Sequence, residues 1–193
     1  MGRRAFIKNT SLASGGLVLG FSILNSCKPE QAKEMVVREM PKEWFEMNSY
    51  LKIGDNGVVT IYTPNPEFGQ NIRTSMPMLV AEELDVDWKN VLVEQAPYHA
   101  DKYGFQFTGG SRGISARWEP LRMAGATARQ MLIAAAAETW QVPKEEITAE
   151  AGVLQHAATK KSAGYGEMAS VAATLTVPEE VQLKEVKDFK LIS

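Results

Sequence analysis

The stretch from Tyr50 to Leu84 limits the folds open to this chain, because the spacing of its apolar residues changes there from a strand period to a helix period. Tyr50-Leu-Lys-Ile53 and Val58-Val-Thr-Ile-Tyr62 are β-rich runs joined by Gly54-Asp-Asn-Gly57. Asn56-Gly57 is a hairpin signal, since both residues tolerate the positive φ of a tight turn. Pro64 and Pro66 end the second run. Ile72, Met76, Leu79, Val80 and Leu84 then recur at helical steps and form one face. Pro77 falls inside that pattern, where it removes a hydrogen bond at a cost of about 3 kcal/mol. The sequence therefore predicts either a kink there or a regular helix that starts near Met76. Val91-Leu-Val93 reads as a short strand. A long helix is expected from about Ser115 to Trp140, with Pro120 in its first turns and the Ala-rich Leu132 to Ala137 packed closely on a neighbour. Ile147 to Glu150 and Val153 to His156 read as a second hairpin around Ala151-Gly152, and Tyr165 to Ala173 as a last short helix. The class is α/β or α+β with a partly antiparallel sheet: strands in hairpins with two main helices.

The N-terminus reads as an address. Arg3-Arg4-Ala-Phe-Ile-Lys8 stands before Ser11 to Leu24, an uncharged apolar stretch too short to cross a hydrocarbon core of about 30 Å as a helix. A basic head, a short apolar body and small residues at the exit describe an export signal over residues 1–26, and the paired arginines resemble the twin-arginine type. A basic amphipathic N-terminus with no targeting role is the alternative. Leu24-Asn-Ser-Cys27 resembles a lipoprotein box, with Cys27 acylated and anchored to a membrane. Ordinary cleavage leaving a free Cys27 is the other reading. Residues 27–43 read as a polar tether, and residues 44–193 as the folded body. The expected location is periplasmic, with the protein held on a membrane surface.

Composition bears on what the body can do. With 45% hydrophobic and 23% charged residues, the chain is neither disordered, collagen-like nor a coiled coil. Its net charge is -2, and the first 26 residues contain Arg3, Arg4 and Lys8 but no acid, so the remainder is more acidic still. That balance argues against nucleic-acid binding, which needs a basic face. The single Cys excludes an intrachain disulfide and leaves a Cys-based zinc site without support. His99 and His156 are isolated and read as surface residues. Glu82-Glu83 and Glu145-Glu146 fall in predicted helices and read as solvated faces. Trp44, Trp88, Trp118 and Trp140 are expected mostly to anchor the core.

Two loops are candidates for chemistry. Pro64-Asn-Pro-Glu-Phe-Gly-Gln-Asn71 connects a strand to a helix; Gly69 permits close backbone approach, and the Gln70 carboxamide can point an N–H at a ligand oxygen beside free helix N-terminal amides. A loop in which Gln70 simply caps the helix explains the same residues. Phe107-Thr-Gly-Gly-Ser-Arg-Gly113 also precedes a predicted helix. Gly109 and Gly110 expose backbone amides, Ser111 adds a hydroxyl and Arg112 a fork of donors, a set suited to phosphate. The spacing is neither that of a Walker loop nor that of a dinucleotide fingerprint. A plain flexible turn remains the other reading.

Glu67-Phe-Gly-Gln70 followed by Arg73-Thr-Ser-Met-Pro-Met-Leu-Val-Ala-Glu-Glu-Leu84 resembles the first molybdopterin-contacting segment of xanthine dehydrogenase/aldehyde oxidase-type molybdenum hydroxylases. Within them it is most similar to the N-terminal part of the large, β subunit of isoquinoline 1-oxidoreductase-like enzymes. Tyr103-Gly-Phe-Gln-Phe-Thr-Gly-Gly-Ser-Arg112, Trp118-Glu-Pro-Leu-Arg-Met-Ala-Gly-Ala-Thr-Ala-Arg129 and Tyr165-Gly-Glu167 extend the match, which runs from about Trp44 to Ser193.

The resemblance implies a partial molybdopterin-binding domain. Gln70 would hydrogen-bond the oxo ligand of molybdenum without ligating the metal. Gly69, Gly109, Gly110, Ser111 and Arg112 would lie against the cofactor, molybdopterin in a dinucleotide form, with cytosine as the nucleotide. This chain has Phe68 where the family usually has Met, Asn71 where it has Gly, and Gly113 in place of a common Ser. Family enzymes hydroxylate aldehydes or N-heterocycles with a glutamate base that lies hundreds of residues further on, and electrons leave through an iron–sulfur or haem subunit. No catalytic residue is assignable here. The expectation is a cofactor-contacting segment of an exported oxidoreductase, inactive without the remaining domains of its subunit. A non-catalytic surface lipoprotein and a phosphate- or nucleotide-binding module are the alternatives.

Overall fold

A computed structural model describes residues 39–192, and the signal, Cys27 and most of the tether lie outside the described residues. Residues 40–193 form one unit. Its first sheet runs β1 (Trp44–Asn48), β2 (Leu51–Gly54), β3 (Val59–Thr63) and β4 (Val91–Gln95), in that spatial order. β1, β2 and β3 pair antiparallel. In the β2–β3 hairpin, Leu51 faces Ile61 and Ile53 faces Val59. The strand period of two therefore puts these four on one face, and all are fully buried. Gly57 in the connecting turn has φ +83, the conformation the Asn-Gly signal anticipated.

β4 lies parallel to β3, with Val59 opposite Val91 and Thr63 opposite Gln95. A parallel pair needs a crossover, and α1 (Ile72–Leu84) supplies it. The helix begins at Ile72 and continues through Pro77, so its regular part does not wait for Met76. Met76, Leu79, Val80 and Leu84 from this helix enter the same core as β2 and β3.

α2 (Ala100–Tyr103) is a single turn, and α3 (Trp118–Trp140) is the long helix, starting three residues later than the periodicity predicted. α3 packs along α1. At Gly125 a Cβ would run into the Val80 carbonyl and the Glu83 side chain, so the helices approach more closely there than any larger residue allows. The alanine-rich turns of α3 follow, with Ala135 and Ala136 fully buried.

A second, antiparallel sheet contains β5 (Ile147–Glu150), β6 (Val153–His156) and β7 (Lys161–Gly164). β7, like β1, has no strong alternating pattern and was not foreseen. α4 (Tyr165–Ala172) closes the fold. The Tyr165 hydroxyl donates to the Leu84 carbonyl at 2.7 Å, and burial pushes its phenol far above the usual range, so it stays a donor. A Cβ on Gly166 would collide with the Asp55–Gly57 backbone, and the Glu167 carboxylate accepts the Gly164 N–H at 2.7 Å. Tyr165-Gly-Glu167 is thus a structural motif that seats α4 on the first hairpin.

Glu82 and Glu83 do not face solvent: they are 2% and 0% exposed. Arg122 donates to Glu83 Oε1 from Nη2 at 2.7 Å and from Nε at 2.8 Å. Glu82 accepts Nζ of Lys184 at 3.1 Å and the amides of Lys190 and Leu191 at 3.0 and 2.6 Å. Burial alone would raise the Glu82 carboxyl, but the Leu191 and Lys190 amides and Lys184 more than offset it and hold it below the ordinary range. These carboxylates strap residues 184–192 onto α1. His156 is also buried, 3% exposed, with Nε2 2.8 Å from Glu146 Oε2 and Nδ1 2.7 Å from the Thr159 hydroxyl. None of the four tryptophans is fully buried; Trp88 and Trp140 pack on the core edge, and Trp118 is 37% exposed beside Phe189 and Arg122.

Candidate cofactor site

Both candidate loops leave the carboxyl ends of the parallel strands β3 and β4, the edge at which open α/β sheets collect ligands. Residues 64–71 follow β3; residues 96–117 follow β4 and lead into α3. Ala96 N–H donates to the Thr63 carbonyl at 2.9 Å, so the loops start side by side.

The first loop is organised by Glu67. Its carboxylate accepts the Gly69 amide at 2.6 Å, the Asn71 amide at 3.1 Å and the Arg73 amide at 2.9 Å. The Arg73 amide, foremost, holds the carboxyl below its usual range. The helix N-terminal amides that the sequence suggested were free for a ligand are therefore occupied by the chain itself, at Asn71 and Arg73. Asn71 has φ +62, a left-handed conformation that Asn adopts more readily than most residues, which accounts for Asn where glycine is usual. Gly69 has φ +99, and a side chain there would meet nothing within 4 Å. The Gln70 carboxamide folds back on its own loop: Oε1 accepts the Phe68 N–H at 2.6 Å, and Nε2 lies 3.4 Å from the Pro66 carbonyl. The second proton on Nε2 keeps a donor in hand.

In the second loop, Arg112 N–H donates to the Gly109 carbonyl at 3.3 Å, closing a turn whose central residues Gly110 and Ser111 have φ +60 and +55. Positive φ at both central positions is the I′ pattern, and it favours glycine at the first. α3 does not begin until Trp118, so this turn draws nothing from a helix dipole. Instead the Gly110 and Ser111 amides donate to no described group, and the exposed Arg112 guanidinium has no described partner.

The turn is the shared wall of two cavities. One, of about 330 Å³, is lined by Gln70, Ile72 and Ser75 from the first loop and α1, and by Thr108, Gly109, Ser111 and Arg112 from the second. Gln70 and the glycine turn thus face one space. The other, about 520 Å³, lies between Gly109, Gly110 and Arg112 on one side and Asn65, Phe105, Phe107 and Arg117 on the other. Phe105 and Phe107 are exposed and stack at 5.4 Å between centroids.

Sequence reading passed over Asn65, Glu67 and Arg117. Arg117 Nε donates to Asn65 Oδ1 at 3.1 Å, Nη1 to the Tyr103 carbonyl at 2.6 Å and Nη2 to the Phe105 carbonyl at 2.8 Å. Asn65 Nδ2 in turn donates to the Phe107 carbonyl, and Thr108 Oγ1 to the Pro66 carbonyl at 2.8 Å. The only advance signal for Asn65 was its place between two prolines, where an amide side chain commonly organises a turn.

Among the described residues the Gly110 and Ser111 amides and the Arg112 guanidinium have no partner, and these donors, on a turn that walls both cavities, fit a polyanionic, phosphate-bearing cofactor. No group of three or more His, Cys, Asp or Glu side chains among the described residues is placed to hold a metal ion.

The comparisons with known proteins agree with this chemistry. The model of the molybdopterin cofactor-binding domain matches residues 15–191. The isoquinoline 1-oxidoreductase β subunit of Brevundimonas diminuta is 39% identical over 138 residues, 68% of this chain and 17% of that protein. The membrane-bound aldehyde dehydrogenase [pyrroloquinoline-quinone] of Gluconacetobacter polyoxogenes is 26% identical across 100% of this chain and 25% of its own length. The crystal structure of quinoline 2-oxidoreductase from Pseudomonas putida 86 superposes with a TM-score of 0.50 at 24% identity, over 68% of this chain and 17% of that one, and supports the fold. The chain thus spans a quarter or less of the relatives it matches. With the family model covering nearly all of the described residues, this chain belongs to the molybdopterin cofactor-binding domain family, as its resemblance to the molybdenum hydroxylases implied.

Proposed function

We propose that this chain supplies one wall of the molybdopterin site of an exported molybdenum-dependent oxidoreductase that hydroxylates N-heterocycles or aldehydes. The observation that carries the reading is the single cavity shared by Gln70 and the Gly109–Arg112 turn. When bound, the cofactor supplies the two-electron chemistry and the activated oxygen; the chain supplies binding and orientation. Gln70 would turn its free N–H toward an oxo ligand of the metal. The Gly110 and Ser111 amides and Arg112 would hold anionic oxygens of the pterin or of its diphosphate, and Gly69 and Gly109 would let the cofactor lie against backbone. The cofactor is the cytosine dinucleotide form.

The remaining parts of the reading extend from the sequence. The general base and the other domains of the subunit come from sequence beyond the matched region, and electrons leave through an iron–sulfur or haem subunit. The Arg3-Arg4 signal directs folded, cofactor-loaded protein across the membrane to the periplasm, and acylated Cys27 holds it at a membrane surface.

The test is to express the chain with its genomic neighbours in a molybdopterin-producing host and measure molybdenum and pterin per subunit, with nucleotide release after acid hydrolysis. Stoichiometric molybdenum and pterin with released CMP is expected. Metal-free, pterin-free protein overturns the reading, as does pyrroloquinoline quinone in place of pterin, the cofactor named for the Gluconacetobacter relative. Replacing Arg3 and Arg4 by Lys should retain the protein in the cytoplasm, and Cys27→Ala should release it from membranes; no change in either would remove the export and anchoring parts alone.

A further inference from the structure

Two loops some forty residues apart must keep a fixed separation if they are to grip one ligand, and the structure shows what sets it. Asn65, 3% exposed, sits at the root of the first loop with both ends of its carboxamide engaged: Oδ1 by Arg117 and Nδ2 by the Phe107 carbonyl. Arg117 stands in the residue just before α3 and spreads its fork over Asn65, Tyr103 and Phe105. Its hydrogen-bond partners are all neutral oxygens, so the guanidinium is used for its rigid geometry, not to neutralise a carboxylate. Thr108 and Gln106 also stitch the loops, through Pro66 at 2.8 Å and Pro64 at 3.1 Å, but both act from within the second loop. Arg117 alone of these ties both loops to the end of a long packed helix, a rigid reference that a loop cannot supply.

We infer that Asn65 and Arg117 are positioning residues: a hydrogen-bonded clamp that fixes the Gln70 loop and the Gly109–Arg112 turn at cofactor-binding separation. The inference rests on the functional reading above and extends it to two residues that need not touch the cofactor. Removing Arg117 withdraws its donors from the Tyr103 and Phe105 carbonyls and the Asn65 oxygen together, leaving the Phe105 carbonyl only the Phe107 N–H, and so loosens both loops. A lysine has the charge but not the fork and cannot span the three acceptors. Asn65→Asp keeps an acceptor for Arg117 and loses the donor to Phe107, which separates the two arms of the clamp.

The experiment uses the full chain in two states. In cofactor-free protein, amide hydrogen exchange is followed in residues 64–71 and 104–113 for Asn65→Ala, Asn65→Asp, Arg117→Lys, Arg117→Ala and the Asn65→Ala/Arg117→Ala double variant. Both segments should exchange about tenfold faster in Arg117→Lys and Arg117→Ala alike while β2, β3 and α3 stay protected. The double variant should be no worse than the poorer single, because one unit is broken only once. In protein from the molybdopterin-producing host, pterin content should fall about tenfold in the same variants, with Asn65→Asp intermediate. Faster exchange confined to one loop, full rescue by lysine, or additive losses in the double variant would overturn the clamp. A wild-type chain that carries no pterin defeats the functional reading instead, and the exchange experiment still decides whether the clamp exists.

Discussion

At its C-terminal end α1 carries Glu82, Glu83 and the capping Asp85, whose carboxylates are taken up inside the molecule by Arg122, Lys184, Lys190 and backbone amides. At its N-terminal end the same helix meets a loop exposed from Phe68 to Asn71, where the one carboxylate, Glu67, engages only backbone amides of its own segment, and the second loop has two amides and a guanidinium without a partner among the described residues. One helix thus joins a cluster whose carboxylates are all engaged, with only the buried Nε of nearby Arg129 left without a partner among the described residues, to a loop region whose donors are not engaged. The contrast separates structure from function better than residue type does. A pair of glutamates suggests acid–base chemistry until every oxygen is accounted for; a glycine turn suggests a flexible link until its donors are found to have no partner.

The comparison breaks most readily at Glu83. Truncation to Ala leaves Arg122 buried without its counter-charge, and breaking a buried pair of this kind costs about 3–5 kcal/mol. Urea denaturation of Glu83→Ala should show that loss, and Glu83→Met combined with Arg122→Met should recover most of it. A loss below about 1 kcal/mol would mean that the pair is not sealed from water.

Acid should open the C-terminal end next. The Glu82 carboxyl is held below its ordinary 4.5, its amide and Lys184 hydrogen bonds outweighing burial, and Asp85 is held below 3.8 in the same way by Lys184. A depressed folded value means stabilisation that is complete above the ordinary value and lost as pH falls through the depressed one. The strap should therefore detach below 4.5 and not at neutral pH. Trp118, whose ring lies 6.4 Å from Phe189 on the strap, reports it by fluorescence. An emission change centred above pH 4.5 would assign the event to another group.

Two glycines bracket the comparison sterically. Gly125→Ala forces a methyl against the Val80 carbonyl at the α1–α3 contact and should cost about 1–3 kcal/mol by overpacking, with cofactor binding impaired only in proportion. Gly110→Ala meets open space but keeps φ +60 and should cost about 1 kcal/mol, while lowering pterin content more than stability. Equal losses in both readouts at Gly110 would make the turn a scaffold and no more.

Local features were legible in the sequence where one segment decides them. The Asn56-Gly57 hairpin, the apolar face of α1 and the long alanine-rich helix all follow from residues within a turn or two of each other. The convergence of Gln70 with Gly109 to Arg112 was expected, but its cause was not: it depends on β3 pairing parallel with β4, and hydrophobic period is blind to which strands pair. Glu82 and Glu83 read as solvated because their partners, Arg122 and Lys184, come from distant parts of the chain. Arg117 was passed over for the same reason, since its importance lies in three acceptors that belong to other segments. The 109–112 loop was expected to lead into a helix from about Ser115, but residues 113–117 form turns and α3 starts only at Trp118.

The smallest effect sharpens the comparison most finely. Glu67 lies at the surface, only partly covered, and pairs with no other charge among the described residues, so its removal should leave the thermal midpoint nearly unchanged. It nevertheless orders the Gln70 loop through the amides of Gly69, Asn71 and Arg73, with Arg73 contributing most to lowering its carboxyl below 4.5. The sign is that of Glu82: the contacts are complete above the ordinary value and lost as pH falls through the lowered one. In wild-type protein the Gly69 and Arg73 amide resonances should titrate together with a midpoint below 4.5. In Glu67→Gln that titration should vanish, while a neutral carboxamide keeps one acceptor near the helix start. A midpoint at or above 4.5, or its persistence in the Gln variant, would show that Glu67 does not hold the helix start. The N-terminal end of α1 would then present free amides to the cavity after all, and the contrast between the two ends of the helix would be one of burial alone.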